Sequence, residues 1–232
     1  MAERRVRLIV RGKRRELRVD GTYASSWTPG EIATRSVWDA LAASVLALPP
    51  PRRRSVLLLG LGAGSAARLV RALAPRARIV GVELDRDVVA AARRWFELDA
   101  LRVEVIVGDA RAVVARLRGR FDVVMEDVFI GREATLRKPD GFPLPVLAHA
   151  KRLLAAGGVV ASNTIDEGPA VRRALAARFP RVLEIAVAEH DNRIYIAGGT
   201  ELDARRLRAE LRASPLLGPT LPRLTLRNCT PR

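Results

Sequence analysis

At 232 residues the chain is long enough for one large domain with an appendage, and a composition of 49% hydrophobic and 28% charged residues excludes a disordered chain. A single cysteine, Cys229, and two widely separated histidines, His149 and His190, argue against a disulfide framework, a cysteine-built zinc site or a histidine-rich metal centre, so metal-free chemistry is expected. The net charge of +16 is one that nucleic-acid binders often show. Only three of the cations are lysines (Lys13, Lys138, Lys151), however, and the arginines are dispersed, as a GC-rich coding sequence would also make them. No apolar run reaches the ~18 residues that span a bilayer, and the N-terminus has no apolar signal core. The expectation is a soluble, cytoplasmic protein with no membrane partner.

In chain order, Val6 to Val10 and Glu16 to Val19 flank a Gly12-Lys13 turn signal and predict a β-hairpin, followed by a polar aromatic loop from Gly21 to Pro29. From Ile32 to Leu48, apolar residues recur at helical spacing (Val37, Leu41, Val45, Leu48), and Pro49 to Pro51 end that helix. From Ser55 the pattern becomes strand, turn, helix. Strands are predicted at Val56–Leu59, Ile79–Val82, Val103–Val107, Phe121–Met125 and Val159–Ser162. Helices are predicted at Ser65–Leu73, Asp87–Phe96, from Ala110 to Leu117, in a stretch ending near Leu154, and at Pro169–Phe179. A long loop, Val128 to Gly141, follows the fourth of these strands and is a candidate lid. Strands that are apolar throughout, alternating with helices, predict a parallel sheet covered on both faces.

Val182 to Ala188 and Arg193 to Ala197 are separated by only four residues, too few for a crossover helix, and must pair as a hairpin. The expected fold is therefore α/β, with a mostly parallel seven-stranded sheet and an antiparallel terminal hairpin, an arrangement that resembles the Rossmann-like class I methyltransferase fold, plus the small N-terminal hairpin and helix. The expected organisation is an N-terminal unit over residues 1–54, a Rossmann-like domain over 55–213 and a C-terminal tail over 214–232.

The chemistry-bearing residues sit at strand ends. Gly60, Gly62 and Gly64 form a glycine-rich turn between the first parallel strand and its helix, where backbone can approach a nucleotide-like ligand. Glu83 ends the second strand about twenty residues later, where a carboxylate can accept from ribose hydroxyls. Asp109, followed by Ala110, ends the third strand, where it can accept from an adenine amino group. Glu83 and Asp109 taken singly fit helix-terminal charge or capping equally well. Asp127, at the end of the fourth strand, opens no helix and is aimed at a ligand. Asp85 and Asp87 are helix caps, and His149 is a surface residue of an amphipathic helix. Tyr23, Trp27, Trp38 and Phe129 are candidate walls of an acceptor pocket, with a core role equally open for the first three.

From Leu17 to about Gly199 these motifs, in this order, resemble the spermidine synthase (polyamine aminopropyltransferase) family within the S-adenosylmethionine-dependent methyltransferase fold. They are Leu17 to Gly21, the glycine loop, Val82 to Asp85, Gly108 to Ala110, and Phe121 to Asp127. The resemblance implies Glu83 on ribose, Asp109 on adenine, and Asp127 orienting or deprotonating an attacking amine. It further implies S-adenosylmethionine or its decarboxylated form as cofactor, and a homodimer with the N-terminal unit at the contact. The departures fall where substrate is chosen. Ala63 and Ile130 stand where the family carries acids, Val37-Trp38-Asp39 replaces its Tyr-His-Glu, and its glutamine has no counterpart near Ala24. A cationic polyamine needs carboxylates in place of its hydration. Methyl transfer to an unidentified small-molecule acceptor is therefore the leading expectation. Aminopropyl transfer from decarboxylated S-adenosylmethionine stands behind it. A nucleic-acid methyltransferase and a non-catalytic binding protein remain as rivals, and a nicotinamide dehydrogenase is a distant fourth. Arg35 and Arg68 are expected to border the crevice and favour the carboxylated cofactor, unless Asp166 or Glu167 folds back to restore an acid.

Overall fold

The computed structural model describes residues 5–132, 135–140 and 142–229. Its N-terminal unit is a three-stranded antiparallel sheet, β1 (Val6–Arg11), β2 (Arg14–Val19) and β3 (Thr22–Trp27). The predicted hairpin is present, but the predicted loop from Gly21 is a third strand. Asp20 and Gly21 both have positive φ, 50° and 83°, the geometry of a two-residue type I′ hairpin turn that leaves Val19 opposite Thr22. The predicted long helix is shorter than its periodicity suggests. Helix α1 covers only Val37–Ala42, and residues Ala43–Ala47 tighten into a 3₁₀ turn in which the Ser44 hydroxyl donates back to the Leu41 carbonyl at 2.7 Å.

The main sheet contains β4 (Ser55–Leu59), β5 (Arg78–Glu83), β6 (Val103–Val107), β7 (Phe121–Glu126), β8 (Leu154–Thr164), β9 (Arg181–Val187), β10 (Arg193–Gly198) and β11 (Leu224–Cys229). Their spatial order is β11-β9-β10-β8-β7-β4-β5-β6. Strands β4 to β8 run parallel, and β10 inserts antiparallel between β8 and β9. The sheet has eight strands where seven are expected. The eighth, β11, comes from the stretch read as a tail and pairs antiparallel with β9, pinned by Arg227 on Glu184 at 2.9 Å. Strand β8 also begins earlier than predicted, directly where its preceding helix ends.

The sheet is covered by α1, α2 (Ser65–Leu73), α3 (Arg86–Phe96) and α7 (Ala204–Ala213) on one face. On the other lie α4 (Ala110–Arg116), α5 (Leu144–Leu153) and α6 (Gly168–Ala176). Alternation along β4 makes this visible: Val56 and Leu58 join one core, Leu57 and Leu59 the other. Burial on both faces explains why these strands are apolar throughout. Among the described residues no helix is long and apolar enough to cross a membrane.

Many arginines are consumed by the fold itself. Arg71 spans the Leu101, Pro75, Ala77 and Arg102 carbonyls; Arg15 and Arg68 cap the end of α3 at Trp95 and Phe96; and Arg152 caps α4 at the Val114 carbonyl. Unpaired carbonyls at helix ends and loops attract such donors.

Candidate functional site

Parallel strands β4 to β7 deliver their C-terminal ends to one edge of the sheet, where a crevice of about 590 Å³ opens. Of the eleven catalytic, cofactor-binding and acceptor-wall candidates, nine line it: Gly60, Gly62, Glu83, Asp109, Ala110, Asp127, Tyr23, Trp38 and Phe129. Two do not. Gly64 packs against Leu98 and Leu101 behind the loop, and Trp27 lines a separate cavity. A Cβ on Gly60 would collide with the Asp127 carbonyl, and one on Gly62 would lie 2.7 Å from the Ser25 hydroxyl, so the loop needs glycine at both positions to nest between β3 and β7.

Glu83 accepts hydrogen bonds from the backbone N–H of Gly62 at 2.8 Å and of Asp85 at 3.1 Å. It thereby fixes the glycine loop and still faces the crevice. Burial raises its pKa against the pull of those amides, a setting in which further donors such as sugar hydroxyls favour the ionised form. Beside it Leu84 is 60% exposed at the rim, an apolar surface left open toward the crevice. Asp109 caps α4 through the Arg111 N–H and pairs with the Arg111 guanidinium at 2.6 Å, which holds its carboxyl below the ordinary value. Asp85 caps α3, as expected.

Asp127 stands opposite. Its Oδ2 accepts from Trp38 Nε1 at 3.0 Å and its Oδ1 from Asn163 Nδ2 at 2.8 Å; Asn163 in turn accepts from Asn192 at 2.9 Å. Burial pushes the Asp127 carboxyl up to about 6, against the nearby Lys138 charge and the two hydrogen bonds, with Glu126 adding to the rise. Behind it Glu126 is fully buried and accepts from Lys138 Nζ at 2.6 Å, Ser162 Oγ at 2.6 Å and the Val128 N–H at 2.9 Å. Lys138 lies 3.9 Å from the centre of the Phe129 ring. Sequence reasoning missed Lys138, Asn163 and Asn192. The first sits in an aperiodic loop; the two asparagines, at a strand end and in a hairpin turn, carry no spacing signal.

The candidate lid is tied down in the described structure. Ile130 and Arg137 form a β-bridge, Lys138 anchors to Glu126, and the Thr22 hydroxyl donates to the Gly131 carbonyl at 2.8 Å across the mouth. Gly141, the far end of that predicted loop, lies outside the described residues.

The departures acquire physical content. Ala63 is buried and spends its N–H on Ser25 Oγ at 2.8 Å, while Ile130 faces the crevice. Asp39 turns inward to the N–H groups of Thr34 and Arg35 and to the Thr34 hydroxyl, so it organises the start of α1 instead of meeting a ligand. Glu167 is occupied by the N–H groups of Lys138 and Ile165 and does not line the crevice, nor does Asp166. The expectation for Arg35 and Arg68 is corrected: both line the neighbouring cavity, because Arg68 is drawn to Trp27 and the Phe96 carbonyl, and among the described residues the arginines lining the crevice are Arg5 and Arg111.

Residues 56–158 match a family model described as a methyltransferase domain. Over 163 residues, 64% of the chain, the sequence is 28% identical to an eEF1A lysine and N-terminal methyltransferase homolog of Drosophila pseudoobscura pseudoobscura, covering 24% of that protein. Over 170 residues, 68% of the chain, it is 29% identical to a polyamine aminopropyltransferase of Chromobacterium violaceum, covering 63% of it. The chain thus spans about a quarter of the first relative and under two thirds of the second. The fold matches the crystal structure of a probable spermidine synthase from Corynebacterium glutamicum with a TM-score of 0.74 at 22% identity, covering 96% of this chain and 87% of that one. It matches human methyltransferase-like protein 13, solved with SAH, with a TM-score of 0.66 at 24% identity, covering 84% and 93%.

Proposed function

We propose that the chain, which has the fold of class I methyltransferases and resembles polyamine aminopropyltransferases in sequence, is a transferase that uses S-adenosylmethionine to methylate a small-molecule acceptor. The observation that carries this reading is the convergence on one crevice of the Gly60 to Gly62 cradle, Glu83, Asp109 and a half-buried Asp127 whose carboxyl is raised to about 6. The donor set fits the cofactor. Glu83 has lone pairs left after its two amide bonds and is placed for ribose hydroxyls. Asp109 accepts from an amino group at the adenine end, and Leu84, Ala110 and Phe142 give that end apolar walls. The crevice volume falls in the ordinary range for a ligand of this size.

When bound, S-adenosylmethionine supplies a carbon activated on a cationic sulfur, which leaves as a neutral thioether. The chain's task is to align the nucleophile, exclude water and take one proton. Asp127 Oδ would receive the proton that the acceptor's nucleophile gives up in that displacement. Trp38 and Asn163 hold the carboxylate in place for this, and its raised pKa makes it a stronger base than an ordinary aspartate while leaving it ionised at neutral pH. The loop held down by Lys138 closes the site from above.

Methyl transfer is favoured over aminopropyl transfer because, of the acids that line the crevice among the described residues, Asp20 and Asp85 face Arg5, Asp109 faces Arg111 and Glu83 holds the glycine loop, which leaves Asp127. Ile130 and Ala63 add none, and Asp39 and Glu167 are engaged elsewhere. The arginines spent on carbonyls of the fold weaken the case for a nucleic-acid face. Incubation with S-adenosylmethionine and an acceptor panel, followed by mass spectrometry, should yield S-adenosylhomocysteine and an acceptor heavier by one methylene. Putrescine turnover with the decarboxylated cofactor would establish the aminopropyltransferase instead.

A further inference from the structure

Beside the crevice lies a second cavity of about 290 Å³, lined by Arg14, Arg35, Arg68 and Trp27, with the exposed Glu31 as the only acid in its lining among the described residues. It shares Tyr23, Ser36 and His190 with the main crevice. The junction is at the reactive end. Tyr23 stacks tilted on Trp38 with ring centres 5.4 Å apart, and Trp38 is the residue that donates to Asp127. His190 belongs to the same hairpin turn as Asn192, which donates to Asn163. The adenosine end, marked by Glu83 and Asp109, contributes nothing to the second cavity.

A seam of hydrogen bonds separates this cavity from the glycine loop. The Ala63 N–H donates to Ser25 Oγ, and Ser26 and Ser65 exchange bonds of 3.0 and 2.9 Å. The cations differ in how far they are committed. Arg68 lies 4.2 Å from the centre of the Trp27 ring and donates to the Phe96 carbonyl, so it is fixed. Arg14 donates to the Tyr23 hydroxyl at 2.6 Å and reaches Glu16 at 3.2 Å. The guanidinium of Arg35 makes no hydrogen bond or ion pair among the described residues, and its backbone is held in the left-handed region at φ 55° by the Asp39 carboxylate. Three guanidinium groups line one small cavity, and a planar fork of donors suits an oxyanion.

We infer that this cavity binds a carboxylate or phosphate group on the acceptor, so that the substrate is an anionic small molecule whose nucleophile reaches back past Tyr23 and Trp38 to Asp127. This rests on the transferase reading above and narrows it: the acceptor site selects the charge opposite to that of a polyamine.

Inorganic pyrophosphate, titrated calorimetrically into the full chain saturated with S-adenosylhomocysteine, is the probe. One site per chain is expected, weakened at least fivefold in Arg35→Gln, a residue whose guanidinium makes no hydrogen bond or ion pair among the described residues, and again in Arg14→Gln. S-adenosylhomocysteine affinity should stay within twofold in both. Absence of pyrophosphate binding overturns the proposal. So does competition with S-adenosylhomocysteine, which would assign the cavity to the cofactor's own carboxylate, or tighter binding of putrescine. A single-stranded oligonucleotide that outbinds pyrophosphate and responds to Arg35→Gln would replace the small acceptor by nucleic acid. Pyrophosphate binding that responds to Arg35 in a chain that does not bind S-adenosylhomocysteine would sink the transferase reading and leave the oxyanion cavity standing.

Discussion

Replacing Lys138 by methionine removes one half of an ion pair that is almost fully out of water: the two side chains are 2% and 0% exposed and 2.6 Å apart. Glu126 would keep only the Ser162 hydroxyl and the Val128 N–H. Breaking a buried pair from one side costs roughly 3–5 kcal/mol, because the remaining charge is left uncompensated. At about 2–4 °C per kcal/mol for a chain of this size, Tm should fall by roughly 6–20 °C. Lys138→Met combined with Glu126→Gln should recover most of the loss, since the buried charge goes with its partner. Lys138 also lowers the Asp127 pKa, so its loss moves that carboxyl above about 6. Thermal unfolding followed by circular dichroism at pH 8 reads the first effect. The acid limb of kcat/KM, followed by S-adenosylhomocysteine release, reads the second and should shift to higher pH. A single variant within about 1 kcal/mol of wild type, or an unmoved acid limb, would refute the reasoning.

Asp127→Asn should lower kcat/KM by about 10²–10⁴-fold, the usual worth of a positioned base, with cofactor affinity nearly unchanged by calorimetry. In the wild type kcat/KM should decline below pH 6 as Asp127 is protonated. The same residue has a stability signature. Its folded pKa lies above the ordinary 3.8, so its contribution is most favourable below that value and falls as pH rises to about 6, by up to about 3 kcal/mol. Asp127→Asn should therefore unfold at a temperature equal to or above wild type at pH 8, and a large destabilisation there would contradict the buried charge. Glu83→Ala should weaken S-adenosylhomocysteine binding by about 1–3 kcal/mol while the far-ultraviolet dichroism holds; unchanged affinity removes Glu83 from the site. The open edge of the three-stranded sheet, where Val10 is 58% exposed, together with the resemblance, predicts a homodimer, which a monomer mass by light scattering at micromolar concentration would contradict.

What the sequence revealed follows from period and direction. Strands buried on both faces announce themselves as apolar runs, and parallel strands must deliver their last residues to one edge, so Glu83, Asp109 and Asp127 could be placed together before any coordinates. The aromatic walls were harder. Tyr23 and Trp27 are both on β3, but four residues of strand span about 13 Å, which puts Trp27 beyond the crevice and into the second cavity. The third strand itself was signalled by Asp20-Gly21, a two-residue hairpin turn. Lys138 had no such signal: it meets Glu126 twelve residues away through an aperiodic loop, and only the folded path of that loop reveals the pair. β11 was obscured by the proline-rich 3₁₀ segment Gly218–Arg223 before it, although its alternation suits an edge strand.

The crevice at the C-terminal edge is expected to hold an adenosyl sulfonium cofactor in its carboxylated form. Competition calorimetry of S-adenosylmethionine against decarboxylated S-adenosylmethionine tests it most directly. One site per chain is expected, with tighter binding of S-adenosylmethionine, because Ala63 and Ile130 supply no acid to the cationic amine that is all the decarboxylated form presents there. Tighter binding of the decarboxylated form, or no binding of either, would contradict it.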